Sequence, residues 1–254
     1  MNNIKTNNHK YKVIVVMPGY NVEKMIKKTF DEIPRDIVSE VILVDDGSTD
    51  NTAVVAEKLG IRVFRHPRNL GYGAAQKTGY REALKNKPDV VAMIHSDYQH
   101  DATYLGKLIE PVLKGDFDIM TGSRTSSRRN ALSGGMPLYK YVVSRVFSII
   151  ANTVLGEKIS EHLCGFRAYN KKVLETLPFM RFSDNYVFDN QFMISALAFG
   201  FKVGEIPIPT RYLKEATSSV TVIKGIKVLY DSSLTLFKFI LFKLNTYTDP
   251  IFKQ

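Results

Sequence analysis

The chain has 254 residues, of which 44% are hydrophobic and 24% charged, as in an ordinary folded protein with a well-supported core. Its single cysteine excludes an internal disulfide framework and any zinc site made of several cysteines, and it fits a reducing compartment such as the cytoplasm. Lysine and arginine outnumber aspartate and glutamate by 35 to 25, so the net charge of +10 favours polyanionic partners: nucleic acid, phosphorylated ligands or anionic lipid.

Apolar runs alternate with helical patterns along the chain. In the first half, strands are predicted at 13–17, 41–44, 61–64 and 90–94, and helices at 22–33, 52–59, 74–85 and 103–113. In the second half, strands are predicted at 117–121, 164–169 and 202–206, helices at 138–155 and 189–199, and a mobile polar loop through residue 135. The alternation predicts an α/β fold with a doubly wound, mostly parallel sheet flanked by helices.

The C-terminal segment differs in character from the rest of the chain. Residues 220–244 are mostly apolar, but Lys227, Asp231, Lys238 and Lys243 interrupt them, and a membrane-spanning helix needs roughly 20 uninterrupted apolar residues. Two placements stay open: a helix packed on the core, or an amphipathic helix in a membrane interface. We therefore expect a flexible tail at 1–11, one main domain at 12–215 and an amphipathic helical tail at 216–254.

Two acidic clusters stand where predicted strands end. Asp45 and Asp46 follow the strand at 41–44, and Asp97 follows the strand at 90–94. Because ligands of open α/β sheets bind beyond the carboxyl ends of the strands, the clusters predict one shared site for a polar, phosphorylated ligand. The alternative is a pair of ordinary capped turns, in which aspartate, glycine and serine are common.

The two clusters suit different parts of a nucleotide. Rigid carboxylates such as those of Asp45 and Asp46 can accept hydrogen bonds from ribose hydroxyls or base N–H groups. Asp97, assisted by Gln99 and Asp101, suits a hard divalent cation such as Mg²⁺ or Mn²⁺, which completes its shell with substrate phosphates.

Several motifs in a fixed order resemble the family 2 glycosyltransferases of GT-A fold. They comprise Pro18, Tyr20 and Asn21, the segment 44–50, then Asn69, Gly71, Gly73 and Ala74, and finally Asp97. Segments at 122–124, 165–169, 188–189 and 205–212 resemble the branch that transfers sugars to polyprenyl phosphates, which includes the dolichyl-phosphate mannosyltransferases and the bacterial undecaprenyl-phosphate glucosyltransferases. The resemblance covers nearly the whole chain.

This resemblance implies roles for individual residues. Asp97 with Gln99 would hold Mg²⁺ or Mn²⁺ at the catalytic centre. The other implied catalytic residues are Arg124, Arg167 and Arg211, which would contact phosphate oxygens, and Asp189, a general base or a helix cap. The implied nucleotide contacts are Pro18, Tyr20, Asn21, Glu23, Asp45, Asp46, Gly71, Lys77 and Ser96. The chain departs from the family pattern at Val22, where an acidic residue is usual, and at His95, which replaces the first carboxylate of an Asp-x-Asp motif.

The implied activity is the metal-dependent, inverting transfer of a sugar from a UDP- or GDP-sugar to a polyprenyl phosphate. Such an enzyme of cell-envelope glycan or glycoprotein synthesis is expected at the cytoplasmic membrane face, in peripheral contact with lipid, and it could be a homo-oligomer. The nearest alternative is a saccharide hydroxyl acceptor, which requires a base such as Asp189.

Two remoter hypotheses change the class of protein. A non-haem iron enzyme could use His95, Asp97 and His162 as ligands. A nucleic-acid-binding module would explain the positive charge, but the basic residues are spread along the chain without a recognisable motif, so we expect no nucleic-acid partner.

Overall fold

The computed structural model describes residues 10–209, 211 and 222–252. Within this part of the chain, seven strands form one sheet in the order β3-β2-β1-β4-β6-β5-β7. The strands are β1 Val13–Gly19, β2 Glu40–Asp45, β3 Arg62–Arg65, β4 Val90–Met93, β5 Ile119–Ser123, β6 Arg167–Asn170 and β7 Val203–Pro207. β6 is antiparallel to both of its neighbours, and the other pairs are parallel.

Helices cover both faces of this sheet. They are α1 Ile26–Asp31, α2 Thr52–Lys58, α3 Tyr72–Lys85, α4 Leu105–Lys114, α5 Arg128–Ser133, α6 Leu138–Leu155, α7 Lys171–Thr176, α8 Phe188–Ala198 and α9 Val222–Lys243. Every residue of β1 is buried, which is why its sequence is continuously apolar rather than alternating.

Alternate residues of the strands supply two hydrophobic cores, one on each face. Ile14 and Val16 of β1 pack in a cluster with α3, α6, α8 and α9. Val13, Val15 and Met17 pack on the other face with α1, α2 and α4. The side-chain period of two in a strand thus divides a single apolar run between two layers of helices.

The C-terminal helix α9 packs on the main domain through one of its faces. Leu236 and Phe239 of α9 are buried in the cluster that includes α6 and α8. Phe252, beyond the helix, lies against Phe239 with ring centroids 5.5 Å apart, and the Ser195 hydroxyl of α8 donates to the Ile251 carbonyl. The structure therefore has α9 packed on the core through this face, while Ile226, Tyr230, Leu234 and Phe237 of the same helix stay exposed. Residues 1–9 of the expected N-terminal tail and residues 212–221 lie outside the described residues.

The predicted mobile loop through residue 135 was wrong in part, because it contains α5. The Ser127 hydroxyl accepts a hydrogen bond from the Asn130 N–H and caps this helix. β6 begins at Arg167, three residues later than predicted, and α7 was not predicted. The Asn170 side chain caps α7 through the Val173 N–H, so the chain turns from strand to helix with no intervening loop.

Candidate active site

The carboxyl ends of β1, β2 and β4 meet at one edge of the sheet. The backbone N–H of Asp46, just after β2, donates to the Gly19 carbonyl at the end of β1 over 2.8 Å. On the other side of β1, the Ser96 hydroxyl donates to the Pro18 carbonyl over 2.6 Å. The two acidic segments therefore flank the end of one strand, which is where an open α/β sheet forms its ligand crevice.

The Asp46 carboxylate is buried and accepts three hydrogen bonds from groups of the chain. The N–H groups of Leu70 and Gly71 each donate to it over 2.9 Å, and His66 Nδ1 lies 2.7 Å from its Oδ1. The other nitrogen of His66 lies 3.0 Å from the Thr78 hydroxyl. Because a carboxylate has about four acceptor positions, these contacts leave roughly one for a ligand.

The loop after β1 is cross-linked to the loop after β2. The N–H of Asn21 donates to the Ser48 hydroxyl over 2.9 Å, and the Asn21 side-chain oxygen accepts from the Thr49 N–H over 2.9 Å. The Glu23 carboxylate accepts from the Asn51 N–H over 2.9 Å. Tyr20, between these ties, remains about half exposed at 47%. Among the implied nucleotide contacts in this loop, Tyr20 and Asn21 are both exposed, and Tyr20 presents an open aromatic ring.

Two other implied nucleotide contacts are engaged by partners within the chain. Asp45 is fully buried, accepts a hydrogen bond from the Ser48 N–H over 3.0 Å and lies 3.2 Å from Nε of Arg65. The Lys77 ammonium is buried, donates to the Phe182 carbonyl and lies 2.7 Å from the Asp184 carboxylate. Both side chains therefore tie loops to the sheet edge.

The loop after β4 carries the oxygen-bearing side chains of Asp97 and Gln99. Asp97 and Gln99 are half-buried, and the Asp97 Oδ1 atom accepts a hydrogen bond from the Gln99 N–H over 3.1 Å. In the described part of the chain, no three histidine, cysteine, aspartate or glutamate side chains are grouped to hold a metal by themselves. A hard cation that takes few protein oxygens and completes its shell from substrate phosphates fits this donor set.

Two of the three implied phosphate-binding arginines are ion-paired at the rim of this edge. The guanidinium of Arg124 donates to Glu161, whose carboxylate is fully buried, and Glu161 also accepts from the Arg124 N–H over 2.6 Å. Arg211 lies 2.8 Å from Glu32 and 2.7 Å from Asp101, and its N–H donates to the Gln99 carbonyl over 3.3 Å. Arg211 thus fastens the chain after β7 to the segment that carries Asp97.

The third arginine, Arg167, is fully buried beneath a polar network. Its guanidinium donates to the backbone carbonyls of Asp189 and His162 over 2.7 and 3.1 Å. The Asp189 carboxylate accepts from the Tyr72 hydroxyl over 2.9 Å and from the Gln76 amide over 3.0 Å. The capping role considered for Asp189 is absent, because α8 has Val187 as its N-cap and Asp189 is directed towards α3.

Tyr72 extends this network to His95. Its hydroxyl oxygen lies 2.7 Å from His95 Nε2. Burial, and then the nearby Asp189 carboxylate, raise the pKa of the Tyr72 hydroxyl well above its ordinary value, so this hydroxyl keeps its proton. A connected chain therefore runs from His95 at the sheet edge through Tyr72 to Asp189, and the three residues come from three distant segments of the sequence.

The ligands required by the iron hypothesis are not gathered. His162 is buried, and its Nε2 lies 2.9 Å from the Asn152 side-chain oxygen of α6. Among the described residues, His95, Asp97 and His162 do not form a metal-binding group. Burial raises the pKa of Cys164 to about 12, so this thiol stays protonated and is unsuited to metal binding or nucleophilic chemistry.

Residues 14–177 match the model of the family described as glycosyl transferase family 2. This match covers more than half of the chain and contains the acidic segments at the ends of β2 and β4. The chain belongs to glycosyl transferase family 2. The predicted enzyme class is thereby confirmed.

Proteins similar to this family 2 glycosyltransferase occur in Methanocaldococcus jannaschii, Methanococcus voltae and Haloferax volcanii. An uncharacterized protein of Methanocaldococcus jannaschii is 34% identical, and the alignment covers 87% of this chain and 91% of that protein. The UDP-N-acetylglucosamine–dolichyl-phosphate N-acetylglucosaminyltransferase of Methanococcus voltae is 27% identical over 86% of this chain and 93% of its own length. Glycosyltransferase AglD of Haloferax volcanii is 29% identical over 77% of this chain, which spans 32% of that longer protein.

Solved structures confirm the GT-A type of fold for this glycosyltransferase. Glucosyl-3-phosphoglycerate synthase of Mycobacterium tuberculosis, in complex with phosphoglyceric acid, superposes with a TM-score of 0.69 at 21% identity, over 94% of this chain and 82% of that one. The same enzyme in complex with Mn²⁺, UDP and phosphoglyceric acid superposes with a TM-score of 0.66 at 20% identity, over 90% of this chain and 78% of that one.

Sequence reasoning missed the partners that organise the site of this glycosyltransferase. His66, Tyr72, Gln76 and Glu161 were not singled out, although all four contact implied site residues. Tyr72 lies in the Gly71-Tyr-Gly73 motif and was the easiest of them to find. Glu161 carried no local signal, because its partner Arg124 is 37 positions away.

Proposed function

We propose that the protein transfers a sugar, with inversion, from a nucleotide-sugar to a polyprenyl phosphate at the cytoplasmic face of the membrane. The donor is a UDP- or GDP-sugar and the metal is Mg²⁺ or Mn²⁺. The single observation that carries this proposal is the sheet edge at which Asp46 and Ser96 flank the end of β1, with Asp97 next to Ser96. The residues 12–215 would form the catalytic domain.

The donor nucleoside is placed beside the β1 end. Tyr20 offers an exposed ring, and Asp46 retains roughly one acceptor position for a base or ribose group. The Methanococcus voltae relative is named for a UDP-sugar donor, and the similar mycobacterial structures contain UDP. Pro18, Asn21, Glu23, Asp45, Gly71, Lys77 and Ser96 would shape this pocket through the hydrogen bonds described above.

The donor diphosphate is placed against Asp97 and Gln99. When bound there, a divalent cation supplies positive charge that stabilises the leaving nucleoside diphosphate. Arg124 would bind phosphate oxygens in place of its ion pair with Glu161. Arg211 would do so in place of its ion pairs with Glu32 and Asp101. Arg167 would contribute indirectly, because its guanidinium donates a hydrogen bond to the Asp189 carbonyl and so fixes the position of that residue.

The acceptor phosphate needs no general base, because it is already ionised near neutral pH. The state of Asp189 supports such an acceptor, since the residue is only 5% exposed and its carboxylate accepts hydrogen bonds from Tyr72 and Gln76. The acceptor oxygen would attack the anomeric carbon opposite the departing diphosphate. Most of the rate enhancement would then come from positioning and from charge complementary to the transition state.

An exposed apolar surface supports a lipid acceptor. Helix α6 leaves a row of large hydrophobic side chains between 39% and 57% exposed, namely Leu138, Tyr139, Val142, Val143, Val146, Ile149 and Ile150. The neighbouring helix α9 exposes Ile226, Tyr230, Leu234 and Phe237 and carries four lysines at 224, 227, 238 and 243. Exposed apolar surface beside lysines suits the interface of an anionic membrane. None of the described helices has the length and apolar character needed to cross a bilayer.

A thermal-shift screen tests the donor site. The full chain is heated with UDP-sugars and GDP-sugars in turn, with and without Mn²⁺, because a ligand that binds only the folded state raises the melting temperature. We expect one nucleotide class to raise it, more strongly with Mn²⁺, and Asp97→Asn to abolish the Mn²⁺ increment. No stabilisation by any nucleotide-sugar contradicts the proposal.

Substitution of Asp189 separates the two acceptor classes. Asp189→Asn keeps an oxygen that can accept from Tyr72, so transfer to a lipid phosphate should stay within about tenfold of the parent rate. Loss of a general base costs roughly 10²- to 10⁴-fold. A loss of that size would favour a saccharide hydroxyl acceptor.

A further inference from the structure

Segment 182–186, which precedes α8, is bound to the first turn of α3. The Asp184 carbonyl accepts hydrogen bonds from the N–H groups of Gly73 and Ala74 over 2.7 and 3.2 Å. These N–H groups belong to the start of the helix, where a backbone donor has no partner within the helix itself. Because a carbonyl of the chain occupies them, this turn of α3 binds protein backbone and is not available to a phosphate.

Two glycines allow the close approach of this segment to α3. A Cβ atom at Gly71 would lie 2.3 Å from the Asp184 carbonyl oxygen, and one at Gly73 would lie 2.3 Å from the Ser183 carbonyl oxygen. Real Cβ atoms essentially never come so close to another atom, so both positions require glycine. Further along α3, the buried Lys77 ammonium lies 2.7 Å from the Asp184 carboxylate. The segment is therefore held in one place against the helix.

This placement stacks the ring of Tyr186 on the ring of Tyr72. The two ring centroids are 5.2 Å apart, and the ring planes differ by 21°. The Tyr72 hydroxyl oxygen lies 2.7 Å from His95 Nε2, just after the end of β4, so the pair stands at the edge of the sheet that carries the site. Both tyrosines are half-buried. Part of the aromatic pair therefore remains accessible to a ligand at this edge.

The proposed donor site places the transferred sugar beside this aromatic pair. The sugar is bonded to the diphosphate, which is placed against Asp97, and Asp97 follows His95 by two residues, a span of at most about 7 Å. Each face of a pyranose ring carries C–H groups, which pack favourably on the electron-rich face of an aromatic ring. A half-buried tyrosine ring at this edge therefore suits the sugar better than the charged diphosphate.

We infer that Tyr186 is a sugar-binding residue, whose ring, stacked on Tyr72, packs on one C–H face of the transferred sugar. The inference rests on the proposed glycosyl transfer, and it adds a residue that recognises the sugar independently of the nucleotide. The hydrogen bonds and the ion pair between segment 182–186 and α3 fix the ring in this place. A ring that is already held in its binding position loses little conformational freedom when the ligand binds.

The first test separates contacts with the sugar from contacts with the nucleotide. Isothermal titration calorimetry of the full chain with Mn²⁺ compares UDP with UDP-glucose and UDP-N-acetylglucosamine, and GDP with GDP-mannose. For the nucleotide-sugar that the parent binds most tightly, Tyr186→Ala should weaken binding roughly three- to tenfold. Binding of the matching nucleoside diphosphate should stay within about twofold, which also shows that the variant is folded. Tyr186→Phe keeps the ring and should bind both ligands as the parent does.

Tyr11→Ala is the control for this titration. Tyr11 is an exposed tyrosine that precedes β1 at the opposite edge of the sheet, so its loss should change neither affinity. An equal loss for the nucleotide-sugar and the nucleoside diphosphate in Tyr186→Ala, or no loss for either, overturns the inference. A parent protein that binds none of these ligands refutes the proposed function as well.

The second test detects the contact directly. Saturation-transfer difference spectra are recorded with Mg²⁺ and the same nucleotide-sugar, on the full chain deuterated at every residue except tyrosine. Saturation of the tyrosine ring protons should reach the C–H protons of the sugar in the parent. In Tyr186→Ala the sugar signals should fall by at least about half relative to the nucleoside signals. An unchanged ratio overturns the inference. Nucleoside signals without sugar signals in the parent refute the sugar contact but preserve the proposed function.

Discussion

Replacement of Asp46 by asparagine should destabilise the protein, because the carboxylate of Asp46 connects β2 to the start of α3. The backbone N–H groups of Leu70 and Gly71 each donate a hydrogen bond to this carboxylate over 2.9 Å, and His66 Nδ1 lies 2.7 Å from its Oδ1 atom. Asparagine can keep its oxygen towards Leu70 and His66, but its NH₂ group then faces the N–H of Gly71. One hydrogen bond to a charged group is lost, at about 1.5–3 kcal/mol, and two donors are opposed in a buried site.

The expected loss in the free energy of unfolding is about 2–4 kcal/mol, or roughly 4–16 °C in melting temperature for a chain of this size. Differential scanning fluorimetry and urea unfolding measure it. Asp31→Asn is the control, since it removes the same charge from an exposed ion pair with Lys27 and should cost less than about 0.5 kcal/mol. A shift for Asp46→Asn no larger than that of Asp31→Asn would refute the assignment of Asp46 as a buried tie.

Three further predictions concern other parts of the molecule. Burial lowers the pKa of His162 to about 4 from an ordinary 6.5. Between these values only the unfolded chain gains a proton at this residue as pH falls. The free energy of unfolding should therefore drop by up to about 3 kcal/mol from neutral pH to pH 4. His162→Gln should reduce this drop in urea unfolding, and an unchanged pH dependence would contradict it. Gly165→Ala should cost about 1–3 kcal/mol through overpacking against Tyr72 and His95, and a melting temperature equal to that of the parent would count against the close contact. Val146→Glu on α6 should weaken sedimentation with anionic vesicles at least about tenfold. The control Val54→Glu on α2 changes a similarly exposed valine and should leave sedimentation with these vesicles unchanged.

The sequence predicted the sheet well because its strands are buried on both faces and therefore continuously apolar. The helix at 138–155 was also predicted with the bounds of α6, since the glycine that follows it is a helix terminator. The direction of β6 could not be read from its residues. Strand direction depends on the path of the chain between 124 and 166, where polar residues and the short helix α5 carry weak periodicity.

The site was predictable in location but not in its connections. A carboxylate that follows a parallel strand must lie at the carboxyl edge of the sheet, so Asp46 and Asp97 could be placed there from the sequence alone. The partners of these residues depend on tertiary contacts between distant segments. Tyr72 and Asp189 are 117 positions apart, and no local pattern signals that one donates to the other.

Product analysis tests the central claim most directly. The full chain is incubated with a panel of UDP- and GDP-sugars, Mn²⁺ and a short-chain polyprenyl phosphate, and the lipid fraction is analysed by mass spectrometry. We predict a polyprenyl phosphate that has gained one sugar, formed only with a divalent ion and reduced roughly a hundredfold or more in Asp97→Asn. Sugar transfer to a saccharide hydroxyl, with the lipid phosphate left unmodified, would contradict the claim.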